Sequence, residues 1–382
     1  MSMKRIGIDC RELRDPAQEP STGVGRYVFE LVSGVVQCAD PTLVIVLFVH
    51  ADQSVPVTWE SLSQIEICRL PRSARRSLVG PHWIVARAMK RAQVDVLHAP
   101  ATTVPLCYAG QTVVTVHDLL IYKHSEWFPG GQWFSTRVVV PRAIRRARWV
   151  ITPSNAVAND VKQVFAVPAE RISVISHGVS TSPSDEEVAM AWKSLCERID
   201  ASVLQSSYAL FVGTLEPRKN IGRLVEAFKE VVHEMPAVHL LLAGGRGWGI
   251  PDTFFERLPE GVHQLGYVTE AEKVALLRKT AVFVYPSLGE GFGLPLLEAR
   301  REGARVLTSD REPMNEVAGQ GSLLVDPEDT SELATLILKM FQGSSDLITN
   351  GVQEGRVEES LPTWSASVEQ TVDVYREVLR AI

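Results

Sequence analysis

Apolar positions along this chain fall into two rhythms that alternate from end to end. Short runs rich in Val, Ile and Leu are apolar almost without interruption, among them LVIVLFVH at 43–50, TVVTVHD at 112–118, YALFVGTL at 208–215 and AVFVYPS at 281–287. A strand exposed on one face alternates apolar with polar residues, so these runs predict strands covered on both faces, as in parallel sheets. Between them lie stretches with apolar residues three and four apart, such as GRYVFELVSGVV at 25–36, NAVANDVKQVF at 155–165 and IGRLVEAFKEVVHEM at 221–235. That is the spacing of one helix face.

Further strand candidates are KRIGIDC at 4–10, IEICRL at 65–70, DVLHAP at 95–100, RWVITPS at 148–154 and RISVISHG at 171–178. Beyond them come AVHLLLAGG at 237–245, HQLGYV at 263–268 and ARVLTSD at 304–310, with helical patterns EAEKVALLRKTA and PLLEARREG interleaved. Alternation of this kind predicts an α/β protein with doubly wound parallel sheets. With 382 residues the chain exceeds the size at which one core stops growing, so two domains are expected. The Ser/Pro/acidic cluster SHGVSTSPSDEE at 176–187 reads as a loop and puts the boundary near Gly178. The last amphipathic stretch, TWSASVEQTVDVYREVLRAI, carries Val368, Val372, Tyr375 and Leu379 near helical spacing.

Composition narrows the class. A hydrophobic content of 45% and a charged content of 22% suit a soluble globular protein and exclude disorder. No run approaches 18 apolar residues, and MSMKRIGIDC leads straight into a strand pattern without a secretory signal. Cys10, Cys38, Cys68, Cys107 and Cys196 are scattered and form no C-x-x-C pair, which favours a reducing, cytoplasmic setting over a disulfide framework or a zinc site. The net charge of −6 conceals an asymmetry: residues 1–180 carry 20 Lys+Arg against 14 Asp+Glu, and the remainder 19 against 31. A basic part joined to an acidic part suggests an anionic surface or ligand facing the first. Arg72, Arg75, Arg76, Arg87, Lys90, Arg91, Arg137, Arg142, Arg145, Arg146 and Arg148 stand there beside tryptophans. They fit peripheral contact with an anionic membrane, a phosphate-bearing acceptor or a plain solvated face. Nucleic acid fits less well, since the whole chain is acidic and shows no recognised module.

Candidate chemistry gathers where strands end. In GTLEPRKNIGRL the strand stops at Gly213, and Arg218 and Lys219 stand just before a helix for which Asn220 is a plausible N-cap. Cations at a helix N-terminus oppose the macrodipole by roughly 0.3–1 kcal/mol each, a cost that a bound anion would offset. In PSLGEGFGLPLLEA, Gly289, Gly291 and Gly293 loosen the backbone around Glu290. Pro295 suits a first helical position, so the amides of Phe292, Gly293 and Leu294 would face an anion. Glu298 then falls in the first helical turn, where a carboxylate is also ordinary helix design. His117 ends a strand and is followed by Asp118; such a histidine is structural or faces a ligand with about equal prior. Gly23 and Gly25 open a helix after the first strand, but without a G-x-G-x-x-G fingerprint. No D-x-D pair is present to hold a nucleotide-bound metal.

Taken together, these stretches resemble the retaining glycosyltransferases of family 4. TGVGRYVFEL, VHDLLIYKHSEWF, ITPSNAVANDV, FVGTLEPRKNIGRLVEAF, LLLAGG and VFVYPSLGEGFGLPLLEA carry the likeness, and the Arg–Lys pair with its E-x7-E is the specific part. His177 departs from the pattern, because an asparagine is usual there. The resemblance implies a GT-B fold of two Rossmann-like domains facing a central cleft: residues 1–178, acceptor-binding, with 363–382 crossing back to it, and residues 179–362, donor-binding.

It also implies roles. Glu298 would hold the donor's ribose hydroxyls and Glu290 the transferred sugar, near the amides of Phe292, Gly293 and Leu294. Arg218 and Lys219 would bind the diphosphate, with Gly213 beside them. His117 would touch the sugar from the first domain, and Gly25 would line the phosphate or acceptor side. No metal or other cofactor is expected beyond a GDP- or UDP-sugar substrate. The likeness favours bacterial mannosyltransferases of polysaccharide assembly, acting on a saccharide or lipid-linked saccharide. Two other classes stay open: a nucleotide-sugar 2-epimerase of similar fold, and a silent sugar-nucleotide-binding protein. If the transferase reading holds, Glu290→Ala and Lys219→Ala should each cut transfer at least ~100-fold while leaving the fold intact.

Overall fold

The computed structural model describes residues 3–14, 22–38, 42–75, 80–343 and 361–381; Arg76 lies outside them. The chain divides into two compact units, one made of Met1–Tyr122, Gly130–Gly178 and Pro362–Ile382, the other of Lys123–Pro129 and Val179–Leu361.

The first unit is built on a sheet of strands β1 (Lys4–Asp9), β2 (Leu43–His50), β3 (Ile65–Leu70), β4 (Val96–Ala99), β5 (Gln111–Thr115), β6 (Trp149–Thr152) and β7 (Ile172–Val174). Their order is β3-β2-β1-β4-β5-β6-β7, and every pairing is parallel. Buried Val46, Phe48, Leu97, Val114 and Val150 belong to one core cluster, which explains the unbroken apolar runs. The terminal helix Trp364–Arg380 belongs to this unit and buries Val368, Val372, Tyr375 and Val378. Val378, rather than the expected Leu379, completes its buried face.

The second sheet comprises β8 (Tyr208–Val212), β9 (His239–Ala243), β10 (Val262–Gly266), β11 (Val282–Tyr285), β12 (Val306–Ser309) and β13 (Leu323–Val325), in the order β10-β9-β8-β11-β12-β13. It too is parallel throughout. Phe211, Phe228, Phe283 and Tyr285 are fully buried in its core. Both halves are therefore doubly wound α/β units, as the apolar pattern requires.

The acidic cluster before residue 188 is not all loop. Ser184 caps the helix Asp185–Arg198 in a reciprocal box with Glu187, and Asp185, Glu186 and Glu187 make its first turn. Carboxylates there satisfy the positive helix end, so a loop-like composition marks a helix start.

In each sheet the strand order reverses beside the first strand, between β1 and β4 and between β8 and β11. Parallel sheets leave a crevice at such a switch, outside the carboxyl ends of the strands. The segments that follow β8 and β11 are those that carry the Arg–Lys pair and the glycine-flanked glutamate.

Candidate active site

Lys219 and Glu290 meet at the switch of the second sheet. Lys219 arrives on the turn Pro217–Lys219 after β8, and Glu290 on the loop after β11. The loop's Leu288 amide donates to the Arg218 carbonyl at 2.8 Å, which ties the two segments together. Lys219 Nζ lies 2.5 Å from Glu290 Oε1 and donates to the Tyr285 hydroxyl at 2.7 Å. Tyr285 in turn donates to the same Oε1 at 2.9 Å. Arg218 Nη1 sits 2.6 Å from Glu290 Oε2, and its Nε donates to Glu216 Oε1 at 2.5 Å.

The cluster is charge-balanced: two cations face two carboxylates. Only Arg218 keeps appreciable exposure, 19% of its side chain against 7% for Lys219 and Glu290 and 2% for Glu216. Burial alone would raise the Glu290 carboxyl, but Arg218 and then Lys219 outweigh it and hold the group at about 2. Burial lowers the Lys219 ammonium, and Glu290 opposes that shift. The cations are thus fixed in place by their counter-charges, a preorganised arrangement for meeting a further anion.

Three local expectations need correction. Asn220 occupies the position before the helix Ile221–Glu234, but its side chain makes no capping bond. Its amide instead donates to the carbonyls of Pro286 and Pro327, at 3.1 and 2.6 Å, where it braces the start of the glycine loop. Pro295 is the second residue of the helix Leu294–Arg301, not the first. Glu298 lies past the first turn, so favourable placement at the helix dipole does not explain it. It is buried, and its Oε2 pairs with Lys273 Nζ at 2.7 Å; Lys273 also pairs with Glu270 at 2.9 Å.

Gly293 precedes the helix with φ +102, a left-handed conformation, followed by half-buried Leu294. Phe292 is buried in the unit's core. Gly213 closes β8 and its amide donates to the Ala243 carbonyl at 2.9 Å.

His117 and Gly25 lie in the first unit. His117 follows β5, and its Nε2 is 2.7 Å from the Pro100 carbonyl oxygen. Its ring stacks on His177 at 5.4 Å and meets the edge of Tyr27 at 4.8 Å. His177, the departure from the usual asparagine, contacts Tyr27 and Trp364 as well, so it joins the first helix to the start of the terminal one. Burial lowers the pKa of both imidazoles. Beneath them Tyr27 and His98 share the Thr115 hydroxyl at 3.0 and 2.8 Å, and His98 Nδ1 reaches the Tyr375 hydroxyl at 2.6 Å. The Gly25 amide donates to Thr22 Oγ1 at 3.1 Å in the first turn of the helix Gly23–Gln37 and is therefore occupied.

Sequence reasoning missed Glu216, Tyr285 and Lys273. The available signal was their position: Tyr285 is the last residue of β11, and Glu216 lies in the segment after β8. Among the described residues no group of three or more His, Cys, Asp and Glu side chains is disposed to hold a metal ion.

Comparison with known proteins finds relatives over most of the chain. A family model described as Glycosyltransferase Family 4 matches residues 21–183, and one described as Glycosyl transferases group 1 matches residues 206–343. The chain is 28% identical to the O-antigen chain mannosyltransferase B of Escherichia coli, over 95% of this chain and 98% of that one. In structure it resembles the sucrose-phosphate synthase of Thermosynechococcus elongatus, with a TM-score of 0.73, 21% identity and coverage of 99% and 100%. It also resembles Anabaena HepE, solved with UDP and glucose, with a TM-score of 0.69, 19% identity and coverage of 98% and 99%. With two doubly wound units, each matched by a glycosyltransferase model, and the Arg–Lys pair joined to the first glutamate of E-x7-E at a sheet's switch point, the chain belongs to the family 4 glycosyltransferases of GT-B fold.

Proposed function

We propose that the protein is a retaining mannosyltransferase of bacterial polysaccharide assembly, moving mannose from a GDP- or UDP-linked donor to a saccharide or lipid-linked saccharide. The observation that carries this reading is the meeting of Arg218, Lys219 and Glu290 beside the helix start at Leu294. A leaving diphosphate gains negative charge as the anomeric C–O bond breaks. Preorganised cations and helix amides stabilise that charge more than they stabilise the ground state. Arg218, Lys219 and the amides of Phe292, Gly293 and Leu294 take that role, with Gly213 beside the diphosphate. Glu290 meets the hydroxyl edge of the sugar while it holds both cations in place, and Glu298 takes the ribose hydroxyls. His117 contacts the sugar and Gly25 lines the phosphate or acceptor side.

The acceptor hydroxyl attacks the anomeric carbon on the face that the diphosphate leaves, and a phosphate oxygen takes the hydroxyl proton. The reaction then needs no protein general base, and the two side-chain cations supply the charge otherwise provided by a metal. Mannose is favoured by the near full-length relationship to the E. coli mannosyltransferase, and a nucleotide donor by the UDP in the HepE structure. The first unit would bind the acceptor and the second the donor. The protein would work at the cytoplasmic face of the membrane. Exposed Trp83 and Trp133, with Arg87 stacked on Trp83 at 5.6 Å, supply a basic, aromatic face for peripheral contact with anionic lipid. Among the described residues no helix is long and apolar enough to cross a membrane.

The test is a panel of UDP- and GDP-sugars scored by nucleotide release in the presence of acceptor and by protection against thermal unfolding. GDP-mannose or UDP-mannose should give both signals. Conversion of the donor without acceptor would instead identify an epimerase, and protection without turnover on any acceptor a binding protein.

A further inference from the structure

A charged cavity lies in the first unit, away from the carboxyl ends of its strands. It encloses about 180 Å³ between the segment Val104–Thr112, which runs from the link after β4 into the start of β5, and the helix Val140–Arg146. Arg142 and Arg146, one helical turn apart, line one side; Tyr108, Gly110 and Gln111 line the other. Gln111 begins β5 and His117 follows its end, so about 20 Å of strand separates the cavity from that histidine.

We infer that this cavity binds a phosphoryl group, carried by a soluble phosphomonoester or by a lipid headgroup. Charge is the first argument. Among the described residues no acidic side chain lines the cavity, and the helix that carries both arginines contains none. Neither arginine pairs with a carboxylate among the described residues, whereas Arg5, Arg11, Arg69, Arg218 and Arg278 all do. Two guanidinium groups on one wall suit the oxygens of a phosphate, which they can bind through paired N–H donors.

Shape is the second argument. The opposite wall is built rather than loose. The Tyr108 amide donates to the Pro105 carbonyl at 2.9 Å, and its ring is largely buried in the unit's core. That ring lies over Gly110 so closely that a Cβ there would stand 2.4 Å from the hydroxyl oxygen. The segment is therefore held to one course by packing, and the cavity exists before any ligand arrives. This inference is independent of the donor site in the second unit.

The experiment uses the full chain and two probes. Glycerol 1-phosphate binding is followed by broadening of its 31P resonance, and vesicle binding by co-sedimentation with phosphatidylglycerol or, as control, phosphatidylcholine. Arg142→Ser/Arg146→Ser should weaken binding of at least one anionic probe by about tenfold or more, and added salt should do the same to the wild type. Lys219→Ala, assayed at a temperature where circular dichroism shows it folded, should leave that binding unchanged. Loss confined to glycerol phosphate assigns a soluble ligand, and loss confined to anionic vesicles assigns a headgroup. Both arginines are exposed, and circular dichroism of the double variant confirms its folding. The inference is overturned if neither probe binds, if the double variant binds as well as the wild type, or if Lys219→Ala alone removes the binding.

Discussion

Lys219 Nζ and Glu290 Oε1 are 2.5 Å apart, both side chains are buried, and Arg218 holds the other oxygen of the same carboxylate. A glutamate fixed in this way serves two ends. It supplies the counter-charge that lets the cations be buried, and it sets the positions from which they meet a diphosphate. The expectation that Glu290→Ala and Lys219→Ala spare the fold therefore needs revision. Breaking a buried pair by deleting one partner leaves the other charge uncompensated, at a cost of about 3–5 kcal/mol. Each variant should unfold at lower temperature than the wild type and lose transfer by about a hundredfold or more. Saturating nucleotide diphosphate should restore more stability to Glu290→Ala, whose cations are freed, than to Lys219→Ala. Equal responses in calorimetry would contradict that division of labour.

Tyr285 gives a milder perturbation of the same cluster. Its hydroxyl accepts from Lys219 and donates to Glu290, while its ring stacks on Phe211 and Phe283 at 5.7 and 5.8 Å. Tyr285→Phe keeps the ring and removes only the hydroxyl. The expected loss of stability is about 1 kcal/mol, with transfer reduced about tenfold because Lys219 loses one of the groups that aim it. Unchanged kcat in steady-state assays would show that Glu290 alone positions the lysine.

The parts of this design that are local in sequence were legible in it. Strands β8, β9 and β11 are apolar almost throughout because helices cover both sides of a parallel sheet. β13, only three residues long, is too short to show a rhythm. The helix after Ser184 was obscured because its cap and first turn share the composition of a loop. At the site, Arg218, Lys219 and Glu290 stood out against helix-start and glycine-loop chemistry. Glu216, Tyr285 and Lys273 did not, because a buried partner is defined by distance in space: Tyr285 and Lys219 are 66 positions apart in the chain and 2.7 Å apart in the fold.

Gly178 meets the backbone of the terminal helix so closely that a Cβ there would lie 2.0 Å from the Trp364 nitrogen. Gly178→Ala must displace the start of that helix or the segment after β7, at a cost of about 1–3 kcal/mol for overpacking. His177 would move with it, and with it the ring contacts that reach His117 and Tyr27. The variant should show a lowered melting temperature and faster proteolytic cleavage near Trp364. Wild-type values for both would mean that the helix start yields at no cost.

Acid should act on the fold in two stages. His98 is fully buried between Thr115 and Tyr375, and burial with nearby His117 lowers its pKa to about 3; burial likewise holds His177 well below its ordinary value. Both are neutral in the folded state at pH 6, whereas an unfolded histidine titrates near 6.5. The unfolded chain therefore binds more protons below that value, and stability falls as pH drops from about 6.5 toward 3. Each group contributes up to about 1.4 kcal/mol per pH unit. Glu290, lowered to about 2, adds a second loss of the same sign once pH passes below the ordinary carboxylate range, near 4.3. Denaturant unfolding measured at pH 7.5, 6.5, 5.5 and 4.5 should give a nearly level first step and a fall that steepens thereafter. A free energy that stays level down to pH 5 would mean that these imidazoles are protonated in the folded protein, and the buried contacts between His98, Thr115 and Tyr375 would have to be redrawn.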